Sequence, residues 1–335
     1  MVIGPRAPFD VPAGIEVHRV AEGGIRLFSR LWAQSVTLPK VCRRIKPDIV
    51  LGLIASTTVA PLPCPRSIIA YDLRHELRPE QFAGHTLLAK RVSYWLGYRQ
   101  ARAIACISER TRYDLLATHP ELEKKFVGVM HLGADHTASW PARRPGPEYA
   151  IAFGQYSNKN VELVLQGWLH LRDRGEGLPL YVCGLPEGGR EVVRARIAEL
   201  GLTDLVTALP WLPPDEFHQY FASAAVVVFP SDFEGFGLPA VEAMALGIPL
   251  VISPDAALLE VTGGHAVTLP GFGASAVAEA VVEARSLTPA ALEQAKAHAA
   301  TFTWESSARS IRSLLHQAVE NHRSAPSLLS DAAQR

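Results

Sequence analysis

Short runs of consecutive apolar residues recur along this 335-residue chain, and longer stretches with helical periodicity separate them. An unbroken apolar run of four to six residues is typical of a parallel strand that is buried on both faces of its sheet. Alternation of such strands with helices predicts an α/β protein. The strand candidates lie at residues 15–20, 48–54, 67–71, 103–107, 126–130, 149–153, 180–183, 205–209, 226–229, 250–252 and 266–269.

The most informative stretch is residues 225–253, AVVVFPSDFEGFGLPAVEAMALGIPLVIS. After the apolar run, a turn contains Pro230, Gly235 and Gly237. Pro239 stands where a helix would begin, because its fixed φ and missing N–H cost nothing at the first helical position. Gly247 ends that helix, and a second apolar run follows. The pattern predicts a strand, turn, helix and strand with a right-handed connection.

The start of this helix is a predicted anion site. Free backbone N–H groups and the positive end of the helix dipole favour a phosphate, and glycines let it approach the backbone. Two carboxylates, Glu234 in the turn and Glu242 in the helix, flank the site. Because carboxylates repel phosphate, their expected partners are hydroxyl groups of the same ligand. Phosphate together with several hydroxyls describes a nucleotide sugar.

Glu234 and Glu242, with seven residues between them, lie within EGFGLP and EAMALGIP. This frame resembles the donor-site signature of retaining glycosyltransferases of family 4, which have the GT-B fold. The resemblance implies that Glu234 contacts the transferred sugar and that Glu242 holds the ribose hydroxyls. It also implies that the backbone of Phe236, Gly237 and Leu238 binds the diphosphate.

Four further segments extend the resemblance, which covers about residues 25–320. Gly154 and Lys159 match a glycine and a lysine of the family's donor site, in which an arginine and the lysine hold the diphosphate. Gln155 and Asn158 stand where arginines often occur, so Lys159 is the expected cation here. The backbone at Trp211 and Leu212 corresponds to the segment that holds the base. Tyr71 replaces a histidine that faces the donor sugar. Either Tyr71 or His75, in the loop predicted after the strand at 67–71, is therefore expected to supply the catalytic contact. The Ser-Glu segment at Ser108 is similar to the family's and is a predicted helix N-cap.

The resemblance implies a GT-B architecture of two Rossmann-like parallel-sheet domains that face a central cleft. We expect a first, acceptor-side domain at residues 1–140, shortened at its start, and a donor domain at 148–302. A hinge would join them at 136–148, and an amphipathic helix at 303–320 would cross back to the first domain. Residues 321–335 are expected to form a tail. Gly23 and Gly24 are the candidates for the family's first glycine-rich loop.

Alternatives remain. The segment GFGLPA at 235–240 fits a dinucleotide-binding pattern, with Asp255 near the distance of a ribose-binding acid. That reading gives the paired glutamates no task, and GFGASA at 271–276 repeats the pattern. A nucleotide-sugar 2-epimerase of the same fold is another possibility. A catalytically silent partner subunit is a third, because of Tyr71 and Gln155.

Composition narrows the setting. The chain is 48% apolar and 20% charged, without a run of 18 apolar residues, which indicates a well-packed protein without a membrane span. The N-terminus lacks a basic start and an apolar core of a signal peptide, so a cytoplasmic location is expected. The four cysteines of the chain have no C-x-x-C spacing, and no Asp-x-Asp motif occurs in the sequence. We therefore expect neither a metal ion nor a cofactor besides the nucleotide-sugar co-substrate.

The net charge of zero conceals an asymmetry. Residues 1–147 contain 21 Lys and Arg against 12 Asp and Glu, a net charge of +9, and the remainder carries −9. A basic first half suggests an acidic partner, such as an anionic membrane, a lipid-linked acceptor or an anionic glycan. Its densest patch is Lys40, Arg43, Arg44 and Lys46. The chain shows no nucleic-acid-binding motif.

Overall fold

The computed structural model of this protein describes residues 2–3, 11, 13–19, 32–56, 58, 60–142, 144 and 146–324. The chain divides into two compact units. The first contains residues 1–106, 115–128 and 310–335, and the second contains residues 107–114 and 129–309.

Two sheets lie among the described residues of the first unit. Strands β1 (Val2–Ile3) and β2 (His18–Arg19) pair in parallel. A four-stranded sheet has the order β3 (Val50–Gly52), β4 (Arg66–Ala70), β5 (Ala103–Cys106) and β6 (Phe126–Val129), with β3, β4 and β5 parallel. Its helices are α1 (Leu38–Ile45), α2 (Arg74–Leu77), α3 (Gly84–Gln100) and α4 (Glu109–Thr118). Helix α4 passes into the second unit at its first turns.

The apolar runs of β4 and β5 explain why this sheet has helices on its faces. All five residues of β4 and all four of β5 are buried. Ile68, Ile104, Leu115 and Leu122 form the core together with Tyr98. Lys125 Nζ donates to the carbonyl oxygens of Tyr98, Arg99 and Ala101 at 2.6–2.7 Å, so its charge satisfies the open carbonyl end of α3.

The second unit is a six-stranded parallel sheet of order β12, β11, β10, β7, β8, β9. The strands are β7 (Ala150–Phe153), β8 (Leu180–Cys183), β9 (Val206–Ala208), β10 (Val226–Phe229), β11 (Leu250–Ile252) and β12 (Val267–Thr268). The helices are α5 (Val161–Asp173), α6 (Glu187–Glu199), α7 (Pro214–Ala222), α8 (Leu238–Ala245), α9 (Ala256–Thr262), α10 (Ala274–Arg285) and α11 (Pro289–Ala299). The strand order reverses between β7 and β10, which creates a topological switch point.

Helix α12 (Trp304–Ser324) ends the described chain. Its first turns belong to the second unit, and from Ser310 it belongs to the first unit, where Leu314 packs against Gly128. A Cβ on Gly128 would lie 3.3 Å from Leu314 Cδ1, so the glycine permits this close approach. The helix extends to Ser324, whereas the sequence analysis began the tail at residue 321.

Most predicted strands are confirmed to within one or two residues at each end, and β8, β10 and β11 match their predicted bounds. Two expectations need correction. The segment after β4, expected to be a loop, contains α2 and a 3₁₀ turn at Pro79–Gln81. The start of the expected hinge is a 3₁₀ turn, Asp135–Ser139, inside the second unit. Three parts of the predictions lie outside the described residues: the Gly23-Gly24 loop, residues 25–31 of a helix predicted from Ile25 to about Ala33, and residues 325–335.

Candidate functional site

The switch point of the second unit places two loops next to each other. One follows β7 and runs from Gly154 to Asn160, and the other joins β10 to α8. Asp232 N donates to Asn158 O at 3.0 Å, and Asn160 Nδ2 donates to Pro230 O at 2.8 Å. Open parallel sheets bind ligands outside the carboxyl ends of their strands at such a point.

The loop between β10 and α8 has a backbone that only glycine accommodates easily. Gly237 has φ 95°, and a Cβ there would clash with Leu258 Cδ2. Gly237 is also the N-cap of α8, so no side chain caps the helix, and Pro239 lies in its first turn. The N-terminal end of α8 therefore keeps backbone N–H groups and the positive dipole end available for an anion.

Glu234 and Lys159 form an ion pair across the two loops. Glu234 Oε1 contacts Lys159 Nζ, and both side chains are about nine-tenths buried, with 14% and 13% exposed. The ammonium group also lies 4.3 Å from the centre of the Phe229 ring, a favourable cation–π position. This geometry holds a positive charge against the loop that leads from β10 to α8.

Asn158 is a site residue whose role the sequence analysis did not predict. It is buried, and its Nδ2 donates to Ser231 Oγ and Phe233 O at 2.8 Å and contacts Glu234 Oε1 at 3.3 Å. Where the resemblance led us to expect an arginine, the chain therefore has a neutral amide that fixes the carboxylate loop. The sequence carried no local signal for this, since the partners are more than 70 residues away.

Glu242 is bound by a histidine, unlike Glu234, which contacts a lysine and an asparagine. It lies in α8, is only 7% exposed, and its Oε1 accepts a hydrogen bond from His136 Nε2 at 2.9 Å. Glu242 raises the pKa of His136 through this hydrogen bond, while burial acts in the opposite direction. His136 was assigned to the hinge in the sequence analysis, so its contact with a predicted ligand-binding residue was missed.

The remaining predicted site residues of the second unit differ in burial and in position. Gly154 follows β7 and is required by packing, because a Cβ there would clash with Leu185. The Phe236 side chain is buried, with its ring centroid 5.9 Å from that of Phe302, so only the backbone of Phe236 remains to bind a ligand. Leu238 begins α8. Trp211 is 68% exposed and Leu212 is half-buried in the segment before α7.

Asp255, the candidate ribose acid of the dinucleotide reading, has a structural task. Its Oδ1 accepts from Ala257 N at 2.9 Å and Leu258 N at 3.2 Å, and it caps α9. Its Oδ2 lies 3.6 Å from Arg110. The carboxylate is thus engaged by backbone and arginine, which removes the main support for that reading.

Ser108 acts as the predicted N-cap of α4, because its Oγ accepts from Thr111 N at 2.9 Å. Its hydroxyl also donates to Gly235 O at 2.5 Å, within the second unit. Glu260 completes the cap by accepting from the N–H groups of Glu109 and Arg110 at 2.8 and 2.9 Å. Burial raises the pKa of Glu260, but His131 and these two N–H groups outweigh it and lower the pKa overall.

Tyr71 and His75 belong to the first unit. Tyr71 is 42% exposed, and partial burial raises its pKa. His75 is not a residue of an open loop: it lies in α2, is 1% exposed, and packs edge-on against Tyr94 at 4.6 Å. Its Nε2 is 3.2 Å from Glu76 Oε1. The catalytic roles of Tyr71 and His75 stay predictions.

Comparison with known proteins identifies the family. A family model described as "Glycosyl transferases group 1" matches residues 141–326, just over half of the chain. The chain belongs to this family.

Two curated relatives show where the group 1 similarity lies. The chain is 36% identical over 183 residues to "MMP alpha-(1->4)-mannosyltransferase" of Mycolicibacterium hassiacum, which covers 54% of this chain and 42% of the relative. It is 33% identical over 171 residues to "D-inositol 3-phosphate glycosyltransferase" of Corynebacterium jeikeium, covering 48% and 41%. The chain thus spans about two fifths of the length of these relatives.

Solved structures show that the likeness in fold extends over most of this chain. Sucrose-phosphate synthase from Thermosynechococcus elongatus matches with a TM-score of 0.70 at 15% identity and covers 93% of this chain and 86% of that one. WaaG, titled a glycosyltransferase involved in lipopolysaccharide biosynthesis, matches with a TM-score of 0.64 at 16% identity, covering 93% and 88%. These matches confirm the α/β GT-B fold with two Rossmann-like parallel-sheet domains.

The described residues lack two features. None of the helices there combines the length and the apolar character needed to cross a membrane. Likewise, three or more His, Cys, Asp or Glu side chains do not cluster there in an arrangement that would hold a metal ion.

Proposed function

We propose that this group 1 glycosyltransferase moves a sugar from a nucleoside-diphosphate sugar to a glycan or lipid-linked acceptor, with retention of anomeric configuration and without a metal ion. The observation that carries the proposal is the set of groups at the switch point. An uncapped helix N-terminus, one lysine and two buried carboxylates lie on the β7 and β10 loops and helix α8.

The diphosphate is the part of the donor that these groups suit best. The backbone of Gly237 and Leu238 at the start of α8 offers N–H groups to its oxygens, and Lys159 supplies a positive charge. Charge develops on the leaving diphosphate as the glycosidic bond breaks. Fixed dipoles and a fixed ammonium group stabilise that charge without reorganising.

The two carboxylates divide the remaining donor between them. Glu242 would accept hydrogen bonds from ribose hydroxyls, and Glu234 would accept from a hydroxyl of the transferred sugar. The contact of Glu234 with Lys159 supports this division, because the lysine proposed to bind the diphosphate holds the carboxylate proposed to contact the sugar. Gly154 would contribute only its backbone, because Leu185 fills the space beside its Cα, and the backbone of Trp211 and Leu212 would hold the base.

The names of the relatives support sugar transfer and leave the sugar and the acceptor open. One relative is named a mannosyltransferase and the other a glycosyltransferase of an inositol phosphate. Both names describe the transfer of a sugar. We propose the same reaction type here, with a glycan or lipid-linked acceptor.

Nucleoside diphosphate release measures this function directly. The protein is incubated with UDP-, GDP- and ADP-sugars, with acceptor extracts and with or without EDTA, and the anomeric configuration of the product is read by NMR. We expect release that depends on acceptor, is insensitive to EDTA and yields a retained anomer. Interconversion of the nucleotide sugar without release would indicate a 2-epimerase. Donor binding without either reaction would indicate a silent partner subunit.

A further inference from the structure

His136 lies between a tryptophan and the predicted ribose-binding glutamate, all within the second unit. Its Nε2 is 2.9 Å from Glu242 Oε1, and its Nδ1 accepts from Trp304 Nε1 at 3.3 Å. The three residues come from the 3₁₀ turn after β6, from α8 and from the start of α12. They are 106 and 168 positions apart in the chain, so only tertiary packing brings them together.

The chemistry of these partners assigns the proton. An indole N–H is a donor only, so the ring nitrogen that faces Trp304 accepts when the imidazole is neutral. In the neutral imidazole the other nitrogen, Nε2, then carries the hydrogen and donates to Glu242. His136 therefore acts as a hydrogen-bond donor to one carboxylate oxygen of Glu242 in both of its protonation states.

The surroundings hold the imidazole in place. Asp135 Oδ1 accepts from Trp304 N at 2.9 Å, which ties the 3₁₀ turn to the first turn of α12. The ring of His136 packs edge-on against Trp140, with centroids 5.7 Å apart. Gly133 makes this turn possible, because a Cβ there would clash with Trp304 N. The side chains and charges that face His136 are thus Glu242, Asp135 and the two tryptophans.

Holding one oxygen of a buried carboxylate restricts where the other can point. The Glu242 side chain is 9% exposed, and a freely rotating carboxylate would pay an ordering cost when it binds a ligand. With Oε1 occupied by His136, Oε2 remains for a ligand in one orientation. Groups that orient a binding residue in this way contribute although they do not touch the ligand.

We propose that His136 is a positioning residue for the donor site, which orders Glu242 so that one carboxylate oxygen is aimed at the ribose hydroxyls of a nucleoside diphosphate. This inference rests on the proposed function. It predicts that the donor hydrogen at position 136 matters for nucleotide affinity, and that it matters only through Glu242.

The test uses calorimetric titration of the full chain with UDP, GDP and ADP, and continues with whichever binds most tightly. His136→Gln and His136→Met are a matched pair, since both side chains are of similar length and only glutamine can donate to Glu242. We expect His136→Met to weaken nucleotide binding about 3- to 10-fold, the range for one hydrogen bond, and His136→Gln to keep most of the affinity. In a Glu242→Ala background the two variants should bind alike.

His218→Ala is the control for lost packing, because His218 stacks on the same Trp140 at 4.3 Å and lies on α7. It should bind as the parent does. Equal affinities of the Gln and Met variants, or a difference between them that persists in the Glu242→Ala background, would overturn the positioning role alone. If the parent binds none of the three nucleotides, the proposed function fails and this inference falls with it.

Discussion

At the scale of single residues, the two glutamates of the predicted donor site differ in their partners. Glu234 is held by a lysine and an asparagine, whereas Glu242 is held by a histidine that is 31% exposed. Glu234 pairs with the lysine that is the candidate phosphate ligand, so its removal changes the charge available to a phosphate, whereas the partner of Glu242 is not a candidate phosphate ligand. Removing the two glutamates should therefore have different consequences.

Glu242→Ala should weaken binding of the free nucleoside diphosphate as well as of the donor. The change removes hydrogen bonds between a carboxylate and ribose hydroxyls, with an expected loss on the order of 1–3 kcal/mol. Calorimetric titration with the diphosphate measures it. Parent-like affinity in the variant would contradict the ribose assignment.

Glu234→Ala should leave diphosphate affinity intact or modestly raise it, while turnover falls. Its loss releases Lys159 from the ion pair, so the ammonium group is more available to phosphate, and the sugar contact is lost. Binding and turnover are measured on the same preparation. Lys159→Met is the complementary variant and should reduce diphosphate affinity. A collapse of affinity with intact transfer in Glu234→Ala would mean that the two glutamates are exchanged.

At the scale of elements, the site depends on where short helices begin. Helix α8 begins at a glycine with positive φ, and α4 begins at a serine whose hydroxyl also reaches Gly235. Helix α2 is only four residues long and is held from outside by the ion pair of Glu76 with His119. Such elements are stable through tertiary contacts, because an isolated helix of this length is not.

Gly237→Ala should lower stability by about 1–3 kcal/mol. The new Cβ adds strain at φ 95° and a clash with Leu258. Thermal unfolding measures the effect. Gly188→Ala is the matched control, because Gly188 lies in α6 and has nothing within 4 Å of an added Cβ. This variant should be more stable than the parent, because alanine favours a helix. Equal melting temperatures for both variants would argue against strain at Gly237.

The Glu76–His119 pair predicts a pH dependence of stability. Glu76 raises the pKa of His119 above 6.5 through their hydrogen bond, while burial acts in the opposite direction. Because the folded pKa is the higher one, this contribution is complete below about pH 6.5 and is lost as pH rises through the folded pKa of His119.

The size expected for the pair is on the order of 1 kcal/mol. In urea unfolding, the free energy of unfolding of the parent should decrease from pH 6 to pH 9, and that of His119→Gln should lack this decrease. Glu76 stays ionised throughout this pH range. Burial raises its pKa, but the hydrogen bonds from His119 and His75 outweigh burial and lower the pKa to about 2. A parent and variant with parallel pH profiles would exclude the ion pair as the cause.

At the scale of the whole molecule, charge is divided along the chain. Lys40, Arg43, Arg44 and Lys46, on or just after α1, are exposed, so the basic patch seen in the sequence is available at the surface of the first unit. Arg44 Nη2 donates to His18 at 3.0 Å and lies 3.7 Å from Glu16, which neutralises part of its charge. Cationic patches of this kind attract anionic lipid surfaces.

Binding to liposomes should therefore rise with anionic lipid content and fall steeply with salt. Each surface Lys or Arg contributes about 1 kcal/mol and is screened beyond ~8 Å at physiological salt. Reversing Arg43, Arg44 and Lys46 to glutamate should abolish co-sedimentation without changing nucleotide affinity. The control reverses Arg174, Arg194 and Arg309 of the second unit. No lipid dependence at low salt would favour a soluble acceptor or an acidic protein partner.

Local pattern was sufficient for much of this molecule. The apolar runs predicted β10 and β11 with their observed bounds, Pro239 and Gly247 marked the ends of the helix between them, and Ser108 was read as a cap. These features depend on residues within a few positions of each other, because propensity, periodicity and capping act over one or two turns. The spacing of Glu234 and Glu242 likewise pointed to the family that the comparisons confirm.

Tertiary structure decided which groups meet. Lys159 and Glu234 are 75 positions apart, and His136 and Glu242 are 106 apart, so no local pattern predicts either pair. The same holds for Asn158, whose buried amide fixes the carboxylate loop, and for His75, which packing covers although its segment looks like a loop. Such contacts arise when helices dock on a sheet and bury polar groups, and a buried polar group must find a partner wherever the fold supplies one.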